Sequence, residues 1–592
     1  MNPGKTAAHA KPAKKTPWRS RRSRRLFLAV CVACAAASPA AAQSITYAKD
    51  VAPLLNERCG MCHHPGGSAP FSLLTYADAK RRASQIAKVT QDRLMPPWKA
   101  DPSNGPFLGQ HPLSAPEIAL LQQWSDAGAP DGPTPRDPLS AIRNPQSAIS
   151  WTDGWQLGKP DLVVTLPQAY TLPAEGTDAF HIFVIPIPTT QRRYVRGLEF
   201  LPGNARVVHH ANIRIDRTPT SRRLDEADPG PGYDGLIART AEYPDGHFLG
   251  WTPGQAGPLL PKGLAWTLEP NTDLVVELHM QPSGKAEMVS PSIGLYFGAD
   301  PPERTPAMLR LGRQDIDIPA GDAHYLVTDS YVLPVDVEVA ALQPHAHYRA
   351  RRIRGEATLP DGSTKTLLVI NDWDFRWQHV FRYETPLPLP KGTTLSMQYT
   401  YDNSAANPRN PEHPPVRAVW GQRSAEEMGD LWVQVLTKNE GDLDRLSRDF
   451  RSKVAAEDVK GYEGEIAKHP SDTGLHDDVA LLYLELGKSD RAIAHFSASL
   501  ALKPRSAAAH YNLGTALTVA RRLDEAGAEY RAALAIDSSY ANAHNNLGNV
   551  LLSQKKYDEA VAEFAEVVRL QPGSDAAVKN LAAAKALAAQ KR

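Results

Sequence analysis

The chain has 592 residues, 42% of them hydrophobic and 22% charged, with a formal net charge of +1. That length holds several domains. The balanced charge excludes a surface built on bulk positive charge, so no nucleic-acid partner is expected. The first element is an export signal. The basic stretch "SRRSRRLFLAV" leads into an apolar run ending near Ala37, and "SPAAAQS" offers an A-x-A cleavage point after Ala42. Residues 1–42 therefore read as a signal peptide. The segment Ser23-Arg24-Arg25-Leu26-Phe27-Leu28 also has twin-arginine character, so the general secretory and twin-arginine routes both stay open. The mature chain is expected to be exported, periplasmic or extracellular. No later apolar run reaches the length of about 18 residues that a membrane span needs, so the mature chain is expected to lack a transmembrane helix.

Of the four cysteines, Cys31 and Cys34 fall inside the apolar signal run. The mature chain keeps Cys59 and Cys62, in "ERCGMCHHPGGSAP". Cys59-x-x-Cys62-His63 is the pattern of covalent haem attachment: two thiols add to the haem vinyl groups and the next His ligates iron. Zinc would need four ligands, and no second Cys pair is present. A redox-active Cys pair does not explain the His. One covalent haem c is expected. Met95, in "DRLMPPWKAD", is the expected sixth ligand, held before a stiff Pro-Pro pair, and His64 reads as a surface neighbour. Residues 45–133 read as small helices and loops. Their stretches "ITYAKDVAPLLNERC", "MPPWKA" and "LQQWSDAGAP" resemble the cytochrome c domain fused to other modules in bacterial exported proteins.

"DGPTPRDPLSAIRNPQSAIS" is Pro-rich, and a linker is assigned to 134–158. The pattern then changes to short alternating strands cut by Pro and Gly, including "DLVVTL", "HIFVIPI", "DLVVELHM", "VEVAAL" and "LWVQVL". Such strands imply β-sandwich, jelly-roll-like units. Two are expected, at 159–300 and 301–440. A linker is assigned to 441–470. From 471 to 592 the chain is helical and repeats. Pro504 and Pro572, Leu513-Gly514 and Leu547-Gly548, and the series Ala492, Ala526, Ala560 and Phe496, Tyr530, Phe564 recur at 34 residues or twice that. The period resembles tetratricopeptide repeats, about three of them. Such helix pairs stack into a concave surface that holds a peptide or protein partner, or serve only as a packing appendage. The expected fold is thus multidomain: a small all-α cytochrome c domain, two β-sandwich units and an α-helical solenoid.

Within the β region the histidines fall in an ordered series. "NARVVHHANIRID" carries His209 and His210 side by side, "DLVVELHM" carries His279, and "LQPHAHYRA" carries His345 and His347. Met428 lies in "SAEEMGDLWVQVL". Neighbouring strand residues point to opposite faces, so two adjacent histidines share one task only at a bulge or strand end. Together the series offers three imidazoles, and then two imidazoles with a thioether. Imidazole suits copper, and a thioether favours Cu(I).

The order H-H, H, H-x-H, M, with "VVHHANI", "LVVELHM", "PHAHY", "YDNSAANPRNP" and "EEMGDLW", resembles the copper type II, ascorbate-dependent monooxygenases. That is the family of the peptidylglycine hydroxylating and dopamine β-monooxygenases. The resemblance implies two coppers. His209, His210 and His279 would hold an electron-transfer copper, and His345, His347 and Met428 the copper at which O2 reacts. It further implies hydroxylation of a C–H bond of a small-molecule substrate, with ascorbate or another electron donor. The fused haem is the natural candidate donor, entering at the copper of His209, His210 and His279, with the Pro-rich linker as a semi-rigid spacer.

The chain also departs from the family. Peptide-amidating members carry Arg two residues before H-x-H, and Asn and Tyr two and four residues after the Met. Here those positions are Gln343, Asp430 and Trp432. The grip on a peptide carboxylate is therefore expected to be absent. An exported electron-transfer or copper-binding protein without hydroxylase activity, and a scaffold dominated by the repeats, are the alternatives.

Overall fold

The haem-motif module is built from short helices whose ends are written in the sequence. The computed structural model describes residues 45–60, 62–64, 69–101, 104–109, 112–133, 154–176, 178–235, 237–238, 240–253 and 259–590. The expected export signal, with Cys31 and Cys34, and most of the expected Pro-rich linker lie outside these residues. A π-helical turn, Tyr47–Val51, runs into the helix Ala52–Arg58, with a Pro in its first turn. The helix Tyr76–Arg81 starts where Thr75 accepts from the Asp78 N–H, and Ala115–Asp126 starts at a reciprocal Ser114–Glu117 capping box. With Ala83–Gln91 between them, they close over Val51, Leu54, Leu55, Ile86, Leu121 and Trp124.

Two antiparallel sheets share the core of the first β unit. One has the order Leu162–Thr165, Ser292–Gly298, Arg193–Leu201, Trp266–Leu268. The other runs Ala179–Pro186, Asp273–Met280, Val208–Asp216, Ala241–Glu242, with Gly250–Trp251 added beside Val208–Asp216. Alternating apolar residues from both sheets, among them Ile213, Ile215, Leu278 and Leu295, are fully buried between them. This unit starts earlier than expected. Trp155 is buried, and the Gln156 and Leu157 N–H groups donate to Glu199, so residues 154–158 belong to the fold rather than to the linker.

The second unit repeats the plan. One sheet has the order Pro306–Gly312, Gly429–Thr437, Val337–Ala346, Phe381–Leu389, and the other Tyr325–Val332, Thr394–Tyr401, Ala350–Thr358, Thr364–Ile370. Its core holds Leu311, Val339, Leu342, Leu431, Val433 and Val435. Two segments from outside complete that core. Ala100 and Phe107, from the haem-motif module, pair with Ile370 and Tyr383 and are buried there. Residues 98–101 and 104–108 are therefore shared between the modules, which a boundary at 133 does not capture.

The second insertion is a helix where a linker was expected. Glu440–Lys468 is a continuous 29-residue helix. It buries Leu446 and Phe450 in the second β core and Ala455, Val459 and Ile466 in the helical core. Its charged residues pair rather than trail in solvent: Lys453 with Asp329, Lys468 with Glu426, Arg310 with Asp458. Helices then follow in register: Thr473–Glu485, Ala507–Val519, Ala541–Ser553 and Asp575–Gln590 start 34 residues apart, as do Ser489–Leu502, Leu523–Ile536 and Tyr557–Leu570. Ala492, Ala526 and Ala560 and the rings of Phe496, Tyr530 and Phe564 are buried at their contacts. Among the described residues no helix is long and apolar enough to cross a membrane.

Candidate metal centres

Cys59 caps the helix Ala52–Arg58, and its carbonyl accepts the N–H groups of Cys62 and His63 at 3.2 and 2.9 Å. That turn brings both thiols and the imidazole of the motif together. Cys59 and Cys62 are not joined in a disulfide. Burial pushes the Cys59 thiol up to about 12, which removes the thiolate that a redox pair requires. His63 Nδ1 lies 3.0 Å from the Phe71 carbonyl, so the proton sits on Nδ1 and the Nε2 lone pair is available. Burial lowers the pKa of His63, which favours the neutral, ligating form. These residues fit a covalent haem. Met95 follows the helix Ala83–Gln91, donates its N–H to the Val89 carbonyl, and is 36% exposed.

Three imidazoles meet in the first β unit because the strand Val208–Asp216 is bulged. Val208 pairs with Met280 and His210 with His279, which leaves His209 as the extra residue. The regular pleat is thus broken at the one point where both histidines must face the same neighbour. His210 Nδ1 and His279 Nδ1 lie 3.3 Å apart. Two nitrogens bound tetrahedrally to one metal at about 2.0–2.1 Å are separated by about 3.3 Å. His279 Nε2 is buried 3.3 Å from Asp178 Oδ1, close enough for an ion pair yet not aligned for a hydrogen bond. Asp178 is itself held by the Ser424 hydroxyl. The His209 ring stands at 72° to that of His279, with centroids 5.3 Å apart. Among the described residues no three His, Cys, Asp or Glu side chains already form a metal cage. Bringing His209 to the point between His210 and His279 takes a rotation of its side chain. Burial lowers His209 to about 4 and His210 further, so both are neutral at pH 7.

The second set stands at the end of the strand Val337–Ala346, where His345 pairs with Asp430 and Ala346 with Gly429. His345 Nδ1 bonds the Gln378 side-chain carbonyl and His347 Nδ1 the Glu426 backbone carbonyl, so both rings keep Nε2 free. The buried Glu427 carboxylate accepts from the N–H groups of His347, Arg349 and Met428, tying the H-x-H strand to the Met428 loop. Burial raises Glu427 to about 7, against the pull of those donors. Met428 is half-buried, and its carbonyl accepts from the Tyr401 hydroxyl. This set is a fit for a soft cation: two imidazoles and a thioether, with the outer nitrogens already engaged.

One cavity of about 450 Å3 is lined by His210 of the first set and by His345, His347 and Met428 of the second. The Phe375 ring touches both sets, with centroids 5.4 Å from His279 and from His347. Asp430 and Trp432 share the cavity face with Met428, while Leu431, Val433 and Val435 fill the core behind. Gln343 also lines the cavity. Asp178, Phe375, Gln378 and Glu427 are the supporting residues that the sequence reading missed. Each comes from a segment remote in the chain from the histidine it serves or sits unmarked beside it, and no spacing signals it.

Family profiles described as "Tetratricopeptide repeat" match residues 479–541 and 520–585. Residues 479–585 are tetratricopeptide repeats. Comparison with curated proteins finds no match. Solved structures that the chain is similar to include "Crystal structure of MamA protein", at 22% identity over 23% of this chain and 75% of that one, TM-score 0.22. Another, "Crystal structure of MamA", is 22% identical over 26% of this chain and 96% of that one, TM-score 0.21. "First TPR of Spaghetti (RPAP3) bound to HSP90 peptide SRMEEVD" is 21% identical over 20% of this chain and 93% of that one, TM-score 0.19. At TM-scores this low the likenesses carry no weight.

Proposed function

We propose that this chain is an exported, haem c- and copper-dependent monooxygenase that hydroxylates a C–H bond of a small molecule with O2. Its haem module is a cytochrome c domain, and its two β units are jelly-roll-like copper domains. The observation that carries the reading is the approach of His279 to His210, and the presence of His210, His345, His347 and Met428 around one cavity. When bound, copper would supply one-electron storage and O2 reactivity, and the haem a source of electrons. His209, His210 and His279 would hold one copper, His345, His347 and Met428 the other, and Cys59, Cys62, His63 and Met95 the haem.

The chain's own contribution is positional. Gln378 and the Glu426 carbonyl fix the protons of His345 and His347 on Nδ1. Asp178 orients His279. Glu427 fixes the distance between the two ligand-bearing loops through three backbone donors. Phe375 and Trp432 put aromatic walls around the cavity and restrict water there. The absence of a carboxylate-gripping Arg at Gln343 argues for a substrate other than a glycine-extended peptide. The repeats are a class of module that commonly holds proteins, and they would recruit a partner.

The test is mass spectrometry of a small-molecule extract before and after incubation with the reduced, copper-loaded full chain under 18O2. Appearance of a product heavier by one labelled oxygen, matched to O2 uptake, supports the reading. O2 consumption without labelled product would favour the electron-transfer alternative.

A further inference from the structure

Residues 98–101 and 104–108 do more than connect two helices of the haem-motif module. The Asp101 N–H donates to the Val369 carbonyl, Leu108 N–H to the Arg382 carbonyl, and the Glu384 N–H returns to the Pro106 carbonyl. Asn104 Nδ2 bonds the Val369 carbonyl at 3.0 Å, and Lys99 faces Asp372 at 3.4 Å. This strap pins the haem-motif module to the second β unit. Its first residue, Trp98, packs edge-on against Phe381 at 5.3 Å and faces His379 at 6.4 Å between centroids. The Trp98 indole N–H and His379 Nε2 are both buried without a hydrogen-bond partner. His379 is joined in the chain to Gln378, whose side chain bonds His345. Trp98 stands only three residues, at most about 11 Å of chain, from Met95.

We propose that the haem module passes its electrons to the His345, His347 and Met428 site, along Trp98, His379 and Gln378. The inference rests on the haem and copper assignments above and adds the point of entry, which differs from the three-histidine set expected from the family resemblance. In each transfer one electron leaves ferrous haem and reduces Cu(II) to Cu(I). An external one-electron donor then restores the ferrous haem. Toward the three-histidine set, the same loop offers only the ring contacts of Phe375, at 5.4 Å from His279 and 6.1 Å from His210. Toward His345 it offers a hydrogen bond, which couples two groups more strongly than a gap between rings.

The experiment photoreduces the haem of the full chain, loaded with haem and Cu(II) under anaerobic conditions, and follows relaxation of the haem absorption band. Copper and covalent haem are counted first in every variant. Too little of either in the wild type would bring down the cofactor assignments themselves. With both present, His279→Ala is expected to keep the first-order relaxation of the wild type. His345→Ala is expected to slow it by at least an order of magnitude, and Trp98→Leu severalfold without loss of copper. Loss of the fast relaxation in His279→Ala with retention in His345→Ala would overturn the route, as would a wild-type rate in both His345→Ala and Trp98→Leu.

Discussion

His210 Nδ1 and His279 Nδ1 face each other at 3.3 Å in the first β unit. At that separation either one ring donates its Nδ1–H to the lone pair of the other, or a cation lies between two lone pairs. His210 is neutral at pH 7 because burial first, and then neighbouring histidines, disfavour its charge. A metal ion satisfies both nitrogens at once. His279→Ala removes one of them and leaves the second set untouched. Elemental analysis of the copper-reconstituted variant is expected to show one copper fewer than the wild type. An unchanged copper count with unchanged X-ray absorption would remove His279 from the ligand set.

On the proposed reading, Met428 is expected to tune chemistry more than folding. Its N–H donates to Glu427 and its carbonyl accepts from Tyr401 at 2.7 Å, and both are main-chain groups that any residue keeps. Met428→Leu nearly conserves volume and is expected to cost less than about 1.5 kcal/mol of stability. O2-dependent product formation is expected to collapse, because Cu(I) loses its soft ligand. Full activity would refute the assignment, and a large fall in melting temperature with activity retained would make Met428 a packing residue.

Much of this was legible in the sequence because the signals were periodic or chemically rare. The 34-residue recurrence of Ala492, Ala526 and Ala560 fixed the helical register, and the adjacency of His209 and His210 called for the bulge that lies between Val208 and His210. The helix Glu440–Lys468 was not legible as such. Its charged residues outweigh an apolar stripe of Leu446, Phe450, Ala455, Val459 and Ile466, and their partners Asp329 and Glu426 come from distant strands. The strap at 98–101 and 104–108 was missed for a related reason: Trp98 and Phe107 find their cores in residues almost 300 positions away, and no local pattern reports that.

Acid is expected to destabilise the metal-free protein well above the carboxylate range. Burial lowers His209, His247 and His379 each to about 4 and His347 to about 3. In the unfolded chain these residues titrate near 6.5. Between those values the unfolded state binds more protons, so stability falls as pH falls. Thermal midpoints of metal-free protein are expected to drop steadily from about pH 6.5 toward about pH 4. A flat profile over that window would mean that these histidines are not buried neutral.

The repeats leave no room at Gly514. A Cβ there would lie 2.8 Å from the Tyr530 ring, which is itself buried. Gly514→Val is expected to destabilise the helical region by about 1–3 kcal/mol through overpacking. Urea denaturation followed by circular dichroism at the helical band checks this, and an unchanged helical transition would contradict the packing.

The central claim is that one polypeptide carries a covalent haem and two copper sites on a common cavity. Elemental analysis of the reconstituted full chain, before and after acid-acetone extraction, tests it most directly. The account predicts two coppers and one iron per chain before extraction, with the haem iron staying on the polypeptide afterwards. Fewer than two coppers, or iron recovered in the solvent, would contradict it.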